Sequence, residues 1–373
     1  MAVQKRPPPS RAEGDYYSAA RRLRCRVAMR AATAAEFEEA PPPAPSASSD
    51  HREKDDGAGL GTVESYERLR KVGEGAFGAV TKARHRRTGE VVAIKSSHGG
   101  AVIDGAAAAV LLLREAALLT ACRGNPTVVA LREVVRGPRA GEPELHLVLE
   151  YVGPSLRDVL RARRRLHLPF AENDTRRAMA ELLAGAGAMH AHGVVHRDLK
   201  PGNVLVGERD GRLRICDLGL AMSAAAPPPE PDAPQRQQQP EGTPGYMAPE
   251  VLLCEKGGGA AADMWALGCI MAELVVGQPL FPGNDLCQQL FSIVELLGVP
   301  DDVSLMPMGI AAAAAPSKLR EKVPEERLSP VGFDVLRGHL EYHPKNRLTA
   351  AAALRMPWFA VTDDAPGSSD VKN

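Results

Sequence analysis

A chain of 373 residues, 44% apolar and 25% charged, has material for one large domain or two modest ones, and this excludes a wholly disordered polypeptide. Lys and Arg together number 46, as do Asp and Glu, and this balance excludes binding to nucleic acid or an anionic membrane through bulk charge. No run reaches the roughly 18–20 uninterrupted apolar residues of a membrane span, and the N-terminus lacks the apolar core of a secretory signal. The six cysteines contain no C-x-x-C pair, so a soluble protein of a reducing intracellular compartment, nucleus or cytoplasm, is expected.

Residues 1–65 are rich in Pro, Ala and Arg and read as a flexible extension. Within residues 1–30, eight Lys or Arg stand against two acids, Glu13 and Asp15, which interrupt the acid-poor pattern of a transit peptide. From Tyr66 the pattern changes to short alternating segments. Gly78 to Ala83 and Val91 to Ile94, separated by a polar turn with Thr88-Gly89, predict a β-hairpin. Thr127 to Leu131 and Leu145 to Leu149 extend a small sheet, and Ala106 to Thr120 predicts a helix. After Val152 the expected elements are mostly helical: 155–164, 175–190, 261–276, 286–297 and 331–340. Ala224 to Gln239, with its Pro and Gln runs, reads as an exposed loop. Strands first and helices later predict a small sheet-rich part followed by a larger helical one.

Gly73-Glu74-Gly75-Ala76-Phe77-Gly78 has G-x-G-x-x-G spacing. A dinucleotide-binding fold needs a helix directly after the third glycine, and here a hairpin follows, which argues against a dinucleotide oxidoreductase. Glycines at a strand-turn-strand let backbone N–H groups close over a triphosphate. The hairpin ends in Lys95. Glu115 is the only carboxylate between Asp104 and Glu133, in an apolar stretch that would bury it unless it were paired, and Lys95 is the available partner. In His196-Arg197-Asp198-Leu199-Lys200-Pro201-Gly202-Asn203, Asp198 can accept a hydroxyl proton, Lys200 can balance phosphoryl charge and Asn203 offers an oxygen to Mg²⁺. Asp217-Leu218-Gly219 follows a predicted strand, Arg212 to Cys216, and offers a second metal-binding carboxylate.

These segments, with Ala248-Pro249-Glu250, resemble the eukaryotic protein kinase signature set over residues 66–359, and Lys200 with Thr243 resembles its serine/threonine class. The resemblance implies an α+β, bilobal kinase fold: a small β-rich N-lobe (66–152) with one key helix, a larger, mainly helical C-lobe (153–359), and a flexible tail (360–373). It implies ATP and Mg²⁺ as cofactors. Catalysis falls to Asp198, Lys200, Lys95 and Glu115, and metal binding to Asn203 and Asp217. The nucleotide falls to Val72, Gly73, Glu74, Gly75, Ala76, Phe77, Gly78, Ala79, Val80, Lys95, Glu150 and Val152. Asp263 and Trp265 to Gly268 resemble the central buried helix of the large lobe, and Arg347 the residue that pairs with Glu250. Its substrates are Ser- or Thr-bearing proteins. The alternative, a scaffold that signals through binding, would be marked by a missing Lys, catalytic Asp or metal Asp, and all three are present.

Pro279 to Asn284, and Gln289-Leu290-Phe291 leading to Leu296 through Pro300, resemble the cyclin-dependent kinase family. Three departures separate this chain from that pattern. Ala109-Val110-Leu111-Leu112-Leu113-Arg114-Glu115 shares only its last two residues with the cyclin-reading Pro-Ser-Thr-Ala-Ile-Arg-Glu; its Ala109, Val110, Leu113 and Ala117 form an apolar stripe opposite Glu115 on which a cyclin or another activating protein could dock around Leu113. Gln238 stands where relatives carry a phosphorylatable Thr, so activity independent of loop phosphorylation is expected, with Glu230, Asp232 or Glu241 compensating Arg197. Met247 replaces the Arg of proline-directed relatives. Ala76 and Phe77 also replace an inhibitory Thr-Tyr pair, so that brake is absent. A monomeric catalytic domain is expected.

Overall fold

The computed structural model describes residues 60–75, 78–97, 105–138, 144–223, 240–254, 259–283, 285–299 and 316–360. Among them are two compact units, one drawn from 20–112 and 132–151 and the other from 113–131 and 152–373. The extension, the 224–239 loop and the tail predicted from sequence fall largely or wholly outside the described residues.

The first unit is built on a sheet of β1 (Gly61–Thr62), β2 (Tyr66–Gly75), β3 (Gly78–His85), β4 (Val91–Ser96), β5 (Leu131–Arg136) and β6 (Leu145–Glu150). Their spatial order is β1-β5-β6-β4-β3-β2. β2–β3, β3–β4 and β4–β6 pair antiparallel, and β1 runs parallel to β5. Central β4 and β6 are buried on both faces, which is why Val91 to Ile94 and Leu145 to Leu149 read as unbroken apolar runs. Val63, Tyr66, Ala83, Val92, Ile94, Val135 and Val148 close into one core. Outer β2 slips register between Arg68 and Arg70 and again between Lys71 and Gly73, and the displaced Leu69 and Val72 are exposed.

Thr127 to Leu131 is not the strand predicted. β5 begins only at Leu131, because the backbone of 127–129 is committed elsewhere: Val129 N–H donates to the Ile215 carbonyl (2.9 Å) and Ile215 N–H to that of Thr127 (2.6 Å). α1 (Gly105–Ala121) carries a half-exposed apolar face with Val110 64%, Leu113 48% and Leu111 39% exposed. Ala109, placed on that stripe by sequence, is instead buried, since at three and seven residues' spacing it shares the inner face with Leu112 and Ala116.

The second unit contains α2 (Leu156–Arg165), α3 (Glu172–Ala191), β7 (Val194–Val195), β8 (Val204–Val206), β9 (Leu213–Ile215), β10 (Met222–Ser223), α4 (Pro249–Leu252), α5 (Ala260–Val276), α6 (Leu286–Leu297), α7 (Leu319–Lys322), α8 (Pro330–His339), α9 (Ala350–Ala353) and α10 (Pro357–Ala360). Ser155 caps α2 by accepting the Asp158 N–H (3.2 Å), and Arg163 to Arg165 complement the dipole of its last turn. α3 buries Met179, Leu182, Leu183, Ala186 and Met189 at helical spacing. α5 is buried from Ala262 to Val275, so its pattern carries no polar face, and Gly277 (φ 81°) ends it. α3 and α8 pack against it. Among the described residues no helix is long and apolar enough to cross a membrane.

The α5–α8 crossing is tight: a Cβ at Gly268 would lie 2.9 Å from the Cβ of His339. His339 is fully buried and neither ring nitrogen finds a hydrogen-bond partner. Burial, and secondarily the nearby Arg347 guanidinium, which is itself paired with Glu250, lower its pKa from 6.5 to about 4. Between those values the unfolded chain binds a proton that the folded chain refuses, so stability falls as pH drops from 6.5 towards 4, by up to about 3 kcal/mol. His339→Leu should flatten this dependence. Urea unfolding of both proteins at pH 7 and pH 5 reads the difference, and parallel losses would mean that His339 is not its source.

Candidate active site

The glycine-rich segment spans the turn from β2 to β3, with Gly73 opposite Val80, Glu74 opposite Ala79 and Gly75 opposite Gly78. Gly78 is required there: at φ 137° a Cβ would stand 1.9 Å from the Ser96 carbonyl oxygen. Ala76 and Phe77 lie outside the described residues. Lys95 sits on β4 between Val80 and Leu147, 5% exposed, and Glu150 ends β6 opposite Val92. An ammonium so buried must be compensated, and Lys95 is engaged by neighbouring groups.

In the second unit Glu115 is 3% exposed and likewise engaged. Val152 is buried, and its carbonyl accepts the Glu208 N–H (3.0 Å). Residues 196–203 form the connection from β7 to β8, held from beneath by Asp263 of α5. One oxygen of Asp263 accepts the His196 N–H (2.8 Å) and the other the Arg197 N–H (2.9 Å). With its N–H so anchored, Arg197 adopts φ 67°, a strained conformation for a non-glycine residue. His196 is wholly buried, its Nδ1 accepting the Asp198 N–H (3.2 Å) and its Nε2 facing the Cys216 carbonyl (3.0 Å), which fixes the tautomer with the proton on Nε2.

These restraints deliver the Asp198 carboxylate into a chain of polar contacts. Lys200 Nζ donates to Oδ2 (2.7 Å) and to Thr243 Oγ1 (2.5 Å), while Thr243 Oγ1 donates to Oδ1 (2.6 Å). Asn203 Nδ2 donates to Oδ2 (3.0 Å) and to the Asp198 carbonyl (2.9 Å). The Asn203 amide uses only its nitrogen in these bonds, so Oδ1 is the atom left to accept or ligate. Asn203 in turn accepts the Cys216 N–H at its carbonyl (2.9 Å), which brings the chain at Asp217 beside it, and Asp217 adopts φ 64°. A carboxylate and an amide oxygen are hard donors that suit Mg²⁺. Among the described residues no cluster of three His, Cys, Asp or Glu could hold a metal by itself, so phosphate and water would have to complete the shell.

Glu241 pairs with Arg197 (3.2 Å), as its charge compensation required; Glu230, Asp232 and Gln238 lie outside the described residues. Glu250 and Arg347 form the bidentate pair expected of them (2.7 and 3.0 Å).

Residues 66–359 match the protein kinase domain family. The chain belongs to the cyclin-dependent-kinase-like serine/threonine protein kinases. It is 46% identical to putative cyclin-dependent kinase F-2 of Oryza sativa subsp. japonica over 322 residues, which is 83% of this chain and 94% of that relative. It is 37% identical to cell division control protein 2 homolog C of Antirrhinum majus, over 81% of this chain and 99% of that one. Cyclin-dependent kinase B2-2 of Arabidopsis thaliana is 35% identical, over 84% and 97%. Membership implies ATP and a divalent cation for this kinase, and no observation favours the scaffold alternative.

Of the residues assigned by motif, the second unit brings Asp198, Lys200 and Asn203 into one hydrogen-bonded group with Asp217 alongside. Sequence reasoning missed two functions in this kinase: Thr243, read only as a class marker, bonds the Asp198 carboxylate, and Asp263, read only as part of a buried helix, orients the catalytic loop. An acid inside the otherwise apolar run 260–272 was the available signal for Asp263.

Proposed function

We propose that this kinase transfers the γ-phosphoryl group of Mg²⁺-bound ATP to Ser and Thr hydroxyls of proteins, and that it does so without phosphorylation of its own 218–247 segment. The observation that carries the first part is the Asp198 group: a carboxylate held on both oxygens by Lys200, Thr243 and Asn203, fixed for accepting a hydroxyl proton. Lys200 places positive charge at the same carboxylate, where it can also meet the transferred group. Asp217 and Asn203 Oδ1 would hold Mg²⁺, which when bound neutralises charge on the phosphate oxygens. Within the first unit, Lys95 would pair the phosphates, with the backbone from Val72 to Val80 over them and that of Glu150 against adenine.

The second part rests on how few hydroxyls the segment contains and on the bonds that two of them make. Residues 218–247 contain only Ser223, Thr243 and Tyr246. Ser223 is in β10, paired with Val194; Thr243 is bonded to Asp198 and Lys200; and Tyr246 donates to Glu273 (2.6 Å). The Arg197 guanidinium already has a carboxylate partner in Glu241. An activating protein, a cyclin among the candidates, would find its apolar face in Val110, Leu111 and Leu113.

The test is phosphate incorporation into a Ser/Thr peptide library by the phosphatase-treated full chain with Mg²⁺-ATP, beside Asp217→Asn. Transfer should survive phosphatase and fall to background in the variant. Equal incorporation by the variant would refute the metal role, and loss on phosphatase treatment would refute independence from phosphorylation.

A further inference from the structure

One helix of the second unit concentrates a single sign of charge. α2 holds five arginines, Arg157, Arg161, Arg163, Arg164 and Arg165, against one acid, Asp158, whose carboxylate accepts the Ser155 hydroxyl (2.5 Å). Arg163 donates to the Pro169 carbonyl (3.1 Å) and covers the Phe170 ring, and Arg164 donates to the Gly277 carbonyl (2.8 Å) and to Glu273 (3.1 Å). Arg165 is engaged as well. Arg157 and Arg161 are exposed and have no acid or carbonyl partner among the described residues. Four residues apart, they stand on one face of the helix, where like charges repel, so α2 keeps them together against its own stability.

That face adjoins the catalytic loop. Leu156, Val159 and Leu160 are buried and seat the helix, and Ser155 bridges to Leu205 of β8. Gly202 leaves room for the Arg157 guanidinium beside the loop: a Cβ there would stand 3.5 Å from its Nη1 and 3.7 Å from Cε of Lys200. Lys200 in turn reaches the Asp198 carboxylate (2.7 Å). Arg157 is thus one side chain removed from the group that meets the acceptor hydroxyl, and Arg161 lies one helical turn along α2. Four helical residues rise about 6 Å, and two extended residues span about 6.6 Å with their side chains on the same face. Carboxylates two positions apart on an extended polypeptide therefore match both guanidinium groups at once.

We propose that Arg157 and Arg161 form a docking surface for an acidic segment of the protein substrate, read as Asp or Glu at two positions, i and i+2, beside the Ser or Thr. This deepens the kinase reading above and rests on it. Charge complementarity names the occupant: two guanidinium groups with no internal acid bind carboxylates in bidentate pairs and repel Lys or Arg at the same positions.

The experiment measures kcat/KM of the full chain for a Ser peptide with uncharged flanks, and for versions carrying Asp-x-Asp or Lys-x-Lys at successive distances on either side of the Ser. Wild type should favour one Asp-x-Asp peptide over the uncharged one by about tenfold, the product of two exposed ion pairs, and high salt should erase the preference. Arg157→Ala/Arg161→Ala should lose the preference and keep the uncharged peptide within about twofold. Arg157→Glu/Arg161→Glu should prefer the Lys-x-Lys peptide at the same distance, a gain that misfolding cannot mimic. No acidic preference in wild type would overturn the proposal, as would its persistence in either variant. A rise towards all peptides in the variants would also overturn it, by placing an acidic segment of the chain itself on this face. A wild type inert towards every peptide would overturn the kinase reading, and this inference with it.

Discussion

Asp198→Asn is expected to lower kcat for peptide phosphorylation by about 10²–10⁴-fold, the range associated with a positioned general base. The substitution is nearly isosteric and an amide oxygen can still accept a bond from Lys200, so the local arrangement of Lys200, Asn203 and Thr243 has a way to persist. What disappears is the negative charge and the capacity to take a hydroxyl proton. ATP binding, followed as a thermal shift, should change little, because the groups proposed to hold phosphate and metal are untouched. A kcat within tenfold of wild type would remove Asp198 from the role of base. Loss of the ATP-induced shift together with activity would show that the change had disturbed more than proton transfer.

The largest expected loss of stability comes from Arg347→Ala. The Arg347 side chain is wholly buried and its partner Glu250 nearly so. All five N–H groups of the guanidinium are used: Nη1 and Nη2 donate to the two Glu250 oxygens, and also to the carbonyls of Ala261 (2.7 Å) and Tyr342 (3.1 Å), while Nε donates to that of Glu341 (3.0 Å). The plane also lies over the Trp265 ring at 5.2 Å. Truncation strands a carboxylate and three carbonyls in a buried site, which should cost about 3–5 kcal/mol. Arg347→Lys keeps the charge but not the planar fork, and should recover only part of this. Trp265 and Trp358, the chain's two tryptophans, are both fully buried, so urea unfolding followed by fluorescence is a direct measure. A change below about 1 kcal/mol for Arg347→Ala would contradict the assignment. A Glu250→Gln/Arg347→Met pair should be less damaging than Arg347→Ala, because no unpaired charge is left behind.

The sequence by itself determined what depends on near neighbours. The hairpin of β3 and β4 follows from apolar runs parted by a Thr-Gly turn, and α2, α3, α5, α6 and α8 follow from periodicity and caps acting over three or four residues. The group from Asp198 to Asn203 was legible for the same reason, since its members are within five residues and one bend brings them together. Only the tertiary structure decided the fate of Thr127 to Leu131, because the backbone bonds that divert it belong to Ile215, far along the chain. It alone placed Ala109 inward, because an alanine fits either side of a helix and packing chooses. It also decided which polar groups finish the site: Thr243 and Asp263 are brought to residues 196–198 only when the chain has packed. Hydrophobic burial is non-directional and reveals in sequence only that a segment goes inside, whereas a buried hydrogen bond demands one particular partner, and that partner is identified only when the packed elements have met.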